Sequence, residues 1–177
     1  MKKVLILSGS PRRGGNSDVL CDEFAKGALE AGHEVEKIRV AEKKIAYCTG
    51  CYACKETGVC AIKDDMAEII PKIIAADVLV LASPVYFYSI DAQLKALIDR
   101  TVPRWLEVKG KELYYIVTAA DPSPAAADTT LACFRGYADC IEGAKEMGTV
   151  LGMGAYGKGE ILDKPAMEEA YQMGKSV

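Results

Sequence analysis

The sequence predicts one α/β domain, residues 1–177, in which a parallel sheet is covered by helices on both faces. Short apolar runs alternate with segments of helical periodicity, and half of the 177 residues are apolar, enough for a core without disulfides. The runs are continuous, as in strands buried on both faces. They lie at Val4–Leu7, Val35–Val40, Val78–Ala82, Tyr114–Thr118 and Thr149–Met153. We therefore expect a doubly wound sheet with the strand order 2-1-3-4-5.

Helices are predicted between these strands and after the last one. They cover about Asn16–Ala31, a segment that begins at Asp64 or Asp65, Ser89–Val102, about Ala127–Met147 and Lys164–Lys175. Gly32 follows the first helix as its C-cap. Pro71 lies about two turns into the second helix, where proline costs about 3 kcal/mol, so we expect a kink or a break there.

The charge pattern and the first residues exclude several classes of protein. The chain has 22 basic and 25 acidic side chains and a net charge of −3, without blocks of like charge, which argues against nucleic acid or an anionic membrane as the main partner. The apolar run after Lys2 and Lys3 ends after about five residues, too short for a signal peptide. No run approaches the length of about 18 apolar residues that a membrane span needs. We expect a cytoplasmic protein with reduced thiols.

The first strand runs directly into a glycine-rich loop and a helix, in the stretch VLILSGSPRRGGNSDVL. The loop contains Gly9, Ser10, Pro11, Gly14 and Gly15, and the helix opens at Asn16 and Ser17. Such a loop directs free backbone N–H groups, hydroxyls and the positive end of a helix at one point, and Arg12 or Arg13 would add charge. The stretch matches neither the P-loop nor the dinucleotide pattern. An ordinary glycine-rich turn is the alternative, but the position at the carboxyl edge of the sheet favours a phosphate site.

A second loop, Ser83–Ser89 with the sequence SPVYFYS, follows the third strand. Its consecutive aromatic residues Tyr86, Phe87 and Tyr88 are poorly explained as core. They can border a flat, partly apolar ligand such as a flavin ring, or else close the sheet edge or cover a subunit interface. Both loops lie where the strand order reverses, and a phosphate next to a ring predicts FMN as the ligand.

Three stretches carry a resemblance to a known family. SGSPRRGGNS, SPVYFYS and AQLKALIDR resemble the NADPH-dependent FMN reductase family of flavodoxin-like proteins. With CTGCYACKETGVCAIKDDM added, the chain is similar to the branch of this family that contains the archaeal and bacterial iron-sulfur flavoproteins. The likeness covers about Lys3 to Arg104 and fades after Tyr115.

The resemblance implies a cofactor site made of three loops. The phosphate of FMN would be held by the first loop, with Ser10, Arg12, Asn16 and Ser17 as ligands and Pro11 between them. The isoalloxazine would be bordered by Pro84, Val85, Tyr86, Phe87 and Tyr88, of which the three aromatic residues form the acceptor face. Ala119 and Ala120, in a third loop that departs from the family's glycine-rich pattern, would touch the ring or the ribityl chain.

A cysteine-rich loop, residues 45–62, is predicted as an insertion after the second strand. Cys48, Cys51, Cys54 and Cys60 have the spacing C-x2-C-x2-C-x5-C. This spacing allows a [4Fe-4S] cluster, which the resemblance also implies, but it equally allows metal-free thiols, a disulfide or a zinc ion. The remaining cysteines, Cys21, Cys133 and Cys140, occupy apolar positions of predicted helices and are interpreted as buried hydrophobic residues.

Other residues are assigned structural roles. His33 is the only histidine and is expected to be a solvated cap residue, which argues against a hydrolase. Asp64 and Asp65 are interpreted as a helix N-terminus. Asp99 and Arg100 are expected in surface or subunit ion pairs. Trp105 is expected in packing or an interface.

The predicted function is an FMN-dependent oxidoreductase that passes electrons from NAD(P)H to a small acceptor such as a quinone, a flavin, or a nitro or azo compound. The flavin would do the chemistry, without an essential side-chain acid or base. The first alternative is an electron carrier with FMN and a cluster, reduced by ferredoxin. The second is a flavin-binding regulatory protein. The resemblance also implies a homodimer or homotetramer.

Overall fold

A computed structural model describes all residues, 1–177, and contains a five-stranded, all-parallel sheet in the order β2-β1-β3-β4-β5. The strands are β1 (Lys3–Ser8), β2 (Glu34–Arg39), β3 (Val78–Pro84), β4 (Glu112–Thr118) and β5 (Lys145–Gly152). The α-helices are α1 (Asn16–Glu30), α2 (Cys54–Thr57), α3 (Met66–Ala75), α4 (Ala92–Asp99), α5 (Asp128–Ala138) and α6 (Ala166–Lys175). Short 3-10 helices cover Val40–Glu42, Val102–Glu107 and Pro124–Ala127. The predicted doubly wound fold is confirmed.

The three central strands, β1, β3 and β4, are continuous apolar runs because each face of the sheet has its own core, whereas edge strand β2 alternates exposed and part-buried residues. Val4 and Ile6 of β1 point to α1 and α6, whereas Leu5 and Leu7 point to α3, α4 and α5. The same alternation in β3 and β4 fills both cores. Glycine allows α1 and α6 to touch, since a Cβ on Gly174 would lie 2.0 Å from the carbonyl oxygen of Phe24. The parallel register brings the ends of all strands to one edge, where the ligand loops begin.

Two expectations about helices are wrong. The predicted helix Ala127–Met147 ends at Ala138, because residues from Lys145 onward pair with β4 and extend β5 toward its N-terminus. The break that was expected at Pro71 is absent, because helix α3 continues through it from Met66 to Ala75. The carbonyl that loses its hydrogen-bond donor there belongs to the exposed residue Ala67, so water can replace the missing N–H.

Three single residues also differ from expectation. Cys21 is fully buried as predicted, but Cys133 is only half-buried, and Cys140 is exposed beyond the end of α5. His33 is half-buried: the backbone N–H of Lys2 lies 3.0 Å from Nδ1, and Nε2 lies 2.9 Å from the carbonyl oxygen of Val177. Tertiary contacts with both chain ends therefore fix the ring. None of the helices combines the length and the apolar character that crossing a membrane requires.

Candidate functional site

The loops after β1, β3, β4 and β5 surround a cavity of about 130 Å³ at the carboxyl edge of the sheet. Nine of the twelve predicted cofactor residues line it: Ser10, Arg12, Asn16, Ser17, Pro84, Val85, Tyr86, Ala119 and Ala120. Pro11, Phe87 and Tyr88 do not line it, and Thr118, Ala155 and Tyr156 complete the wall. The fold thus brings together loops that lie as far apart in sequence as residues 10 and 156.

The loop after β1, residues 9–15, is called the phosphate loop after its predicted ligand, and it ends in a helix whose first turn has no side-chain cap. Gly14 has a φ of +61°, and its backbone N–H donates to Asp18 Oδ2 at 2.8 Å, so the loop folds back onto the helix. Asn16 and Ser17 are buried in this first turn. The backbone N–H groups of an uncapped, partly buried helix start are suited to bind an anion.

The segment after β5, residues 153–160, closes the cavity over the phosphate loop. The amide nitrogen of Asn16 donates to the carbonyl oxygens of Ala155 and Gly157, each at 3.0 Å. Arg12 Nη1 donates to the carbonyl oxygen of Tyr156 at 3.0 Å, and the guanidinium carbon lies 6.0 Å from the centre of the Tyr156 ring. The predicted phosphate ligands Arg12 and Asn16 therefore also hold this segment in place.

The residues after β5 are the part of the site that the sequence analysis missed. The stretch GMGAYGKG, Gly152–Gly159, has a glycine-rich pattern with one aromatic residue directly after the fifth strand. Loops after every strand of a parallel sheet meet at one edge, so this signal could have indicated a fourth ligand loop.

A cluster of three charged side chains, Asp18, Lys37 and Arg39, is hydrogen-bonded to the phosphate loop through Asp18. The Asp18 side chain is 6% exposed and accepts from Lys37 Nζ at 3.0 Å, and it also pairs with Arg39. Burial works to raise the pKa of Asp18, but the hydrogen bonds from Gly14 and Lys37 and the charge of Arg39 outweigh it, so the pKa is lowered. Asp18 is therefore a carboxylate that ties the loop to α1 and β2.

A second buried carboxyl group connects the first two ligand loops. Asp91 is fully buried; Oδ1 accepts from the backbone N–H of Leu94 at 2.9 Å, and Oδ2 accepts from the Ser83 hydroxyl at 2.7 Å. Burial raises its pKa despite these bonds. A Cβ on Gly9 would lie only 2.1 Å from Asp91 Oδ2, so glycine is required where the two loops meet.

The aromatic loop makes a tight turn that projects two rings outward. Tyr86 and Ser89 exchange two backbone hydrogen bonds of 3.0 Å, and the intervening Phe87 and Tyr88 have φ values of 48° and 59°. Positive φ at two non-glycine residues costs of the order of 1 kcal/mol each. Phe87 is fully exposed and Tyr88 is 61% exposed, so only Tyr86 faces the cavity. Trp105 is 41% exposed.

The four clustered cysteines surround a second cavity, of about 130 Å³, which shares no residue with the first. All are free thiols, and Cys48 and Cys51 are exposed. No three of the chain's His, Cys, Asp or Glu side chains converge on one point as ligands of a single metal ion. A single zinc ion needs such convergence, whereas a [4Fe-4S] cluster takes its thiolates on four separate irons. The residues present fit such a cluster in number and in sharing one cavity.

The sequence-based assignment of Arg100 is wrong. Its side chain is 1% exposed and makes a bidentate ion pair with Asp64, with distances of 2.7 and 2.9 Å. Asp64 therefore forms a buried ion pair in addition to its predicted role at the start of α3, where it accepts from the backbone N–H of Met66 at 3.2 Å. Asp99 does lie at the surface, where it pairs with Lys95 at 2.6 Å.

Comparisons with known proteins agree on a flavoprotein fold. A family profile described as NADPH-dependent FMN reductase matches residues 2–162. An iron-sulfur flavoprotein of Methanocaldococcus jannaschii is 48% identical over 101 residues, which are 57% of this chain and 52% of that protein. An iron-sulfur flavoprotein of Archaeoglobus fulgidus is 46% identical over 103 residues, 58% of this chain and 46% of that protein. These matches span about half the length of the curated relatives.

A solved structure has the same fold over nearly the whole chain. The NAD(P)H:quinone oxidoreductase from Methanothermobacter marburgensis superposes with a TM-score of 0.79, covering 99% of this chain and 96% of that one. The two sequences are 17% identical, so the likeness concerns the fold. It extends through the C-terminal third, beyond residue 162, where the match to the family profile ends; that profile also continues past Tyr115, where the sequence motifs alone predicted that the likeness fades.

Proposed function

Because the chain belongs to the NADPH-dependent FMN reductase family, we propose that it is an FMN-dependent oxidoreductase that passes electrons from NAD(P)H to a small acceptor. Candidate acceptors are quinones, flavins, and nitro or azo compounds. The observation that carries the proposal is the cavity at the carboxyl edge, which joins an uncapped helix start to an aromatic loop. A ligand with a phosphate at one end and a ring at the other matches this arrangement.

The chain's residues position the cofactor. The free N–H groups of the first turn of α1, the hydroxyls of Ser10 and Ser17 and the guanidinium of Arg12 would hold the phosphate. Asn16 Oδ1 is buried without a partner in the chain and can accept from a ligand hydroxyl. The backbone of Pro84–Tyr86 would border the ring. When bound, FMN supplies the capacity to accept a hydride and release electrons to an acceptor.

The composition of the cavity wall supports chemistry done by the flavin. No carboxylate and no imidazole lines the cavity. Side chains that could transfer a proton near a substrate are limited to hydroxyls of serine, threonine and tyrosine. We therefore assign no catalytic acid or base. Tyr86, with Phe87 and Tyr88 on the outer side of the loop, would form the acceptor face.

A second function is favoured by a specific observation, the four thiols around one cavity. In this function the protein is an electron carrier that holds FMN and a [4Fe-4S] cluster on Cys48, Cys51, Cys54 and Cys60, and that is reduced by ferredoxin. The names of the curated relatives support it. A flavin-binding regulatory role, without turnover, is the third candidate.

The test is an anaerobic purification followed by spectroscopy, iron and sulfide analysis, and stopped-flow reduction. We expect bound FMN that NADPH or NADH reduces faster than reduced ferredoxin does. Broad absorption near 400 nm with iron and sulfide, together with reduction by ferredoxin alone, would instead establish the electron carrier. A protein that binds FMN but is reduced by neither donor would leave the regulatory role. Failure to bind FMN would overturn all three functions.

The assembly is a proposal as well. We propose a homodimer or homotetramer in which the exposed rings of Phe87, Tyr88 and Trp105 are covered by another copy. Three large aromatic side chains in water are costly to leave uncovered, which supports this assembly. Sedimentation equilibrium of the protein with FMN would give the number of copies, and a monomer at micromolar concentration would contradict it.

A further inference from the structure

The cysteine-rich segment, residues 46–64, is held to the domain at its two ends by one side chain. Arg100 directly follows α4, and its Nη1 donates to the carbonyl oxygen of Ala46 at 2.6 Å. Nη1 and Nη2 donate to the two carboxylate oxygens of Asp64, at 2.7 and 2.9 Å. The first and last residues of the segment therefore meet on one buried guanidinium.

The carboxylate completes the closure of the segment. Asp64 Oδ2 also accepts from the backbone N–H of Ala46 at 3.0 Å, so both ends are joined directly as well as through Arg100. The middle of the segment lacks such ties: Cys48, Cys51 and Tyr52 are exposed, and Thr57 bonds only within the segment, to Ala53 and Val59. Apart from the packing of α2 against the 3-10 helix Val102–Glu107, its placement on the domain thus depends on the base, where Arg100 and Asp64 lie.

The guanidinium also faces the thiols. Arg100 lies in the wall of the four-cysteine cavity and of a neighbouring cavity of about 180 Å³, and Cys60 and Ile62 also line both. Nη2 of Arg100 donates to the carbonyl oxygen of Ile62, two residues after Cys60, at 3.5 Å, while Nε is buried without a partner. A guanidinium that is 1% exposed has no solvent to compete for its N–H groups.

We propose that Arg100, together with Asp64, is a positioning residue that fixes the cysteine-rich segment and holds the Cys60 sulfur in the cavity that the other three cysteines share. The role does not depend on the proposed flavin chemistry, because the two cavities have no residue in common. It applies to free thiols as well as to a cluster, because the bonds of Arg100 to Ala46, Ile62 and Asp64 involve no metal.

Alkylation of individual cysteines tests this role. The full-length protein with FMN, freed of iron by a chelator, is treated with iodoacetamide at one fixed pH, and the modification of Cys60 and Cys48 is followed by peptide mass spectrometry. Removing one partner of a buried ion pair can unfold a protein, so the main variant is the double substitution Arg100→Met with Asp64→Asn, which removes both charges. Arg100→Lys keeps the charge but lacks the fork that reaches both ends of the segment.

In the double variant we expect iodoacetamide to alkylate Cys60 at least about tenfold faster, equivalent to about 1.4 kcal/mol. The alkylation rate of Cys48 should change less than about twofold, because Cys48 is already exposed. Arg100→Lys should retain part of the protection of Cys60 from alkylation. Arg104→Met is the matched control, because Arg104 lies nearby but bonds only Glu107. FMN affinity should be unchanged in all variants, which separates this test from that of the flavin site. Equal acceleration at all cysteines, or an unchanged rate at Cys60 in a folded double variant, would overturn the proposal.

Discussion

The side-chain amide of Asn16 donates to the carbonyl oxygen of Ala155 at 3.0 Å and so joins the first turn of α1 to the segment after β5. The two residues are 139 positions apart in the sequence. This bond, with the second one to Gly157, makes the phosphate loop and the last ligand loop one unit.

Asn16→Ala should loosen this unit. Two hydrogen bonds from a buried amide are lost, so we expect the free energy of unfolding in urea to fall by about 1–3 kcal/mol and residues 154–159 to exchange amide hydrogens faster. Gln172→Ala, which removes an exposed side-chain bond to Glu168, is the control and should change stability by less than about 0.5 kcal/mol. Unchanged exchange after β5 in Asn16→Ala would contradict the coupling.

Arg12→Ala should discriminate between ligands with and without a phosphate. We expect the Kd for FMN to rise about tenfold and the Kd for riboflavin to change less than about twofold, because only the phosphate uses the charge. Quenching of flavin fluorescence measures both. Arg13→Ala is the matched control, since the Arg13 side chain is 80% exposed and pairs with Glu42. An equal loss for both flavins would mean that Arg12 acts only through its bond to Tyr156.

Gly9→Ala should lower the free energy of unfolding, because it places a methyl group against Asp91 where the first two ligand loops meet. The new Cβ would lie 2.1 Å from Asp91 Oδ2, and overpacking of this kind costs about 1–3 kcal/mol. Gly136→Ala in α5, where nothing lies within 4 Å, should instead be neutral or gain up to about 1 kcal/mol. Thermal unfolding and FMN titration of both variants would check this. Equal stability of the two would show that Asp91 can move away from the loop.

The contribution of Asp18 should depend on pH in a defined direction. Its pKa in the folded protein is lowered from the ordinary value of 3.8, so its stabilising effect is complete above that value and is lost as the pH falls through the folded pKa. We expect Asp18→Asn to cost about 1–3 kcal/mol at pH 7, and the difference from the natural protein to shrink below about pH 4. Urea unfolding between pH 7 and pH 3 measures it. A difference that is constant over this range would contradict an ionised Asp18.

The sequence by itself determined the features that local patterns encode. Continuous apolar strands such as Val78–Ala82 predict a parallel sheet because their side chains must be buried on both faces. The glycine-rich loop between β1 and α1, followed by a helix that opens at Asn16 and Ser17, predicts an anion site, because both features lie within a few residues of one another. The strand order and the loops at the carboxyl edge followed from these patterns, whereas the family was predicted from the resemblance of the loop motifs to known proteins.

Only the tertiary structure decided what distant residues do to one another. A helical pattern continues past Ala138 in the sequence, but the helix ends there and residues Lys145–Gly152 pair with β4 instead. Arg100 looks like a surface charge in sequence, yet its partners Ala46 and Asp64 arrive from a segment 36 or more residues away and bury it. The bonds of Asn16 to the segment after β5 are of the same kind. Periodicity reports which face of an element is apolar, whereas the partner of a buried polar group is chosen by packing of the whole chain.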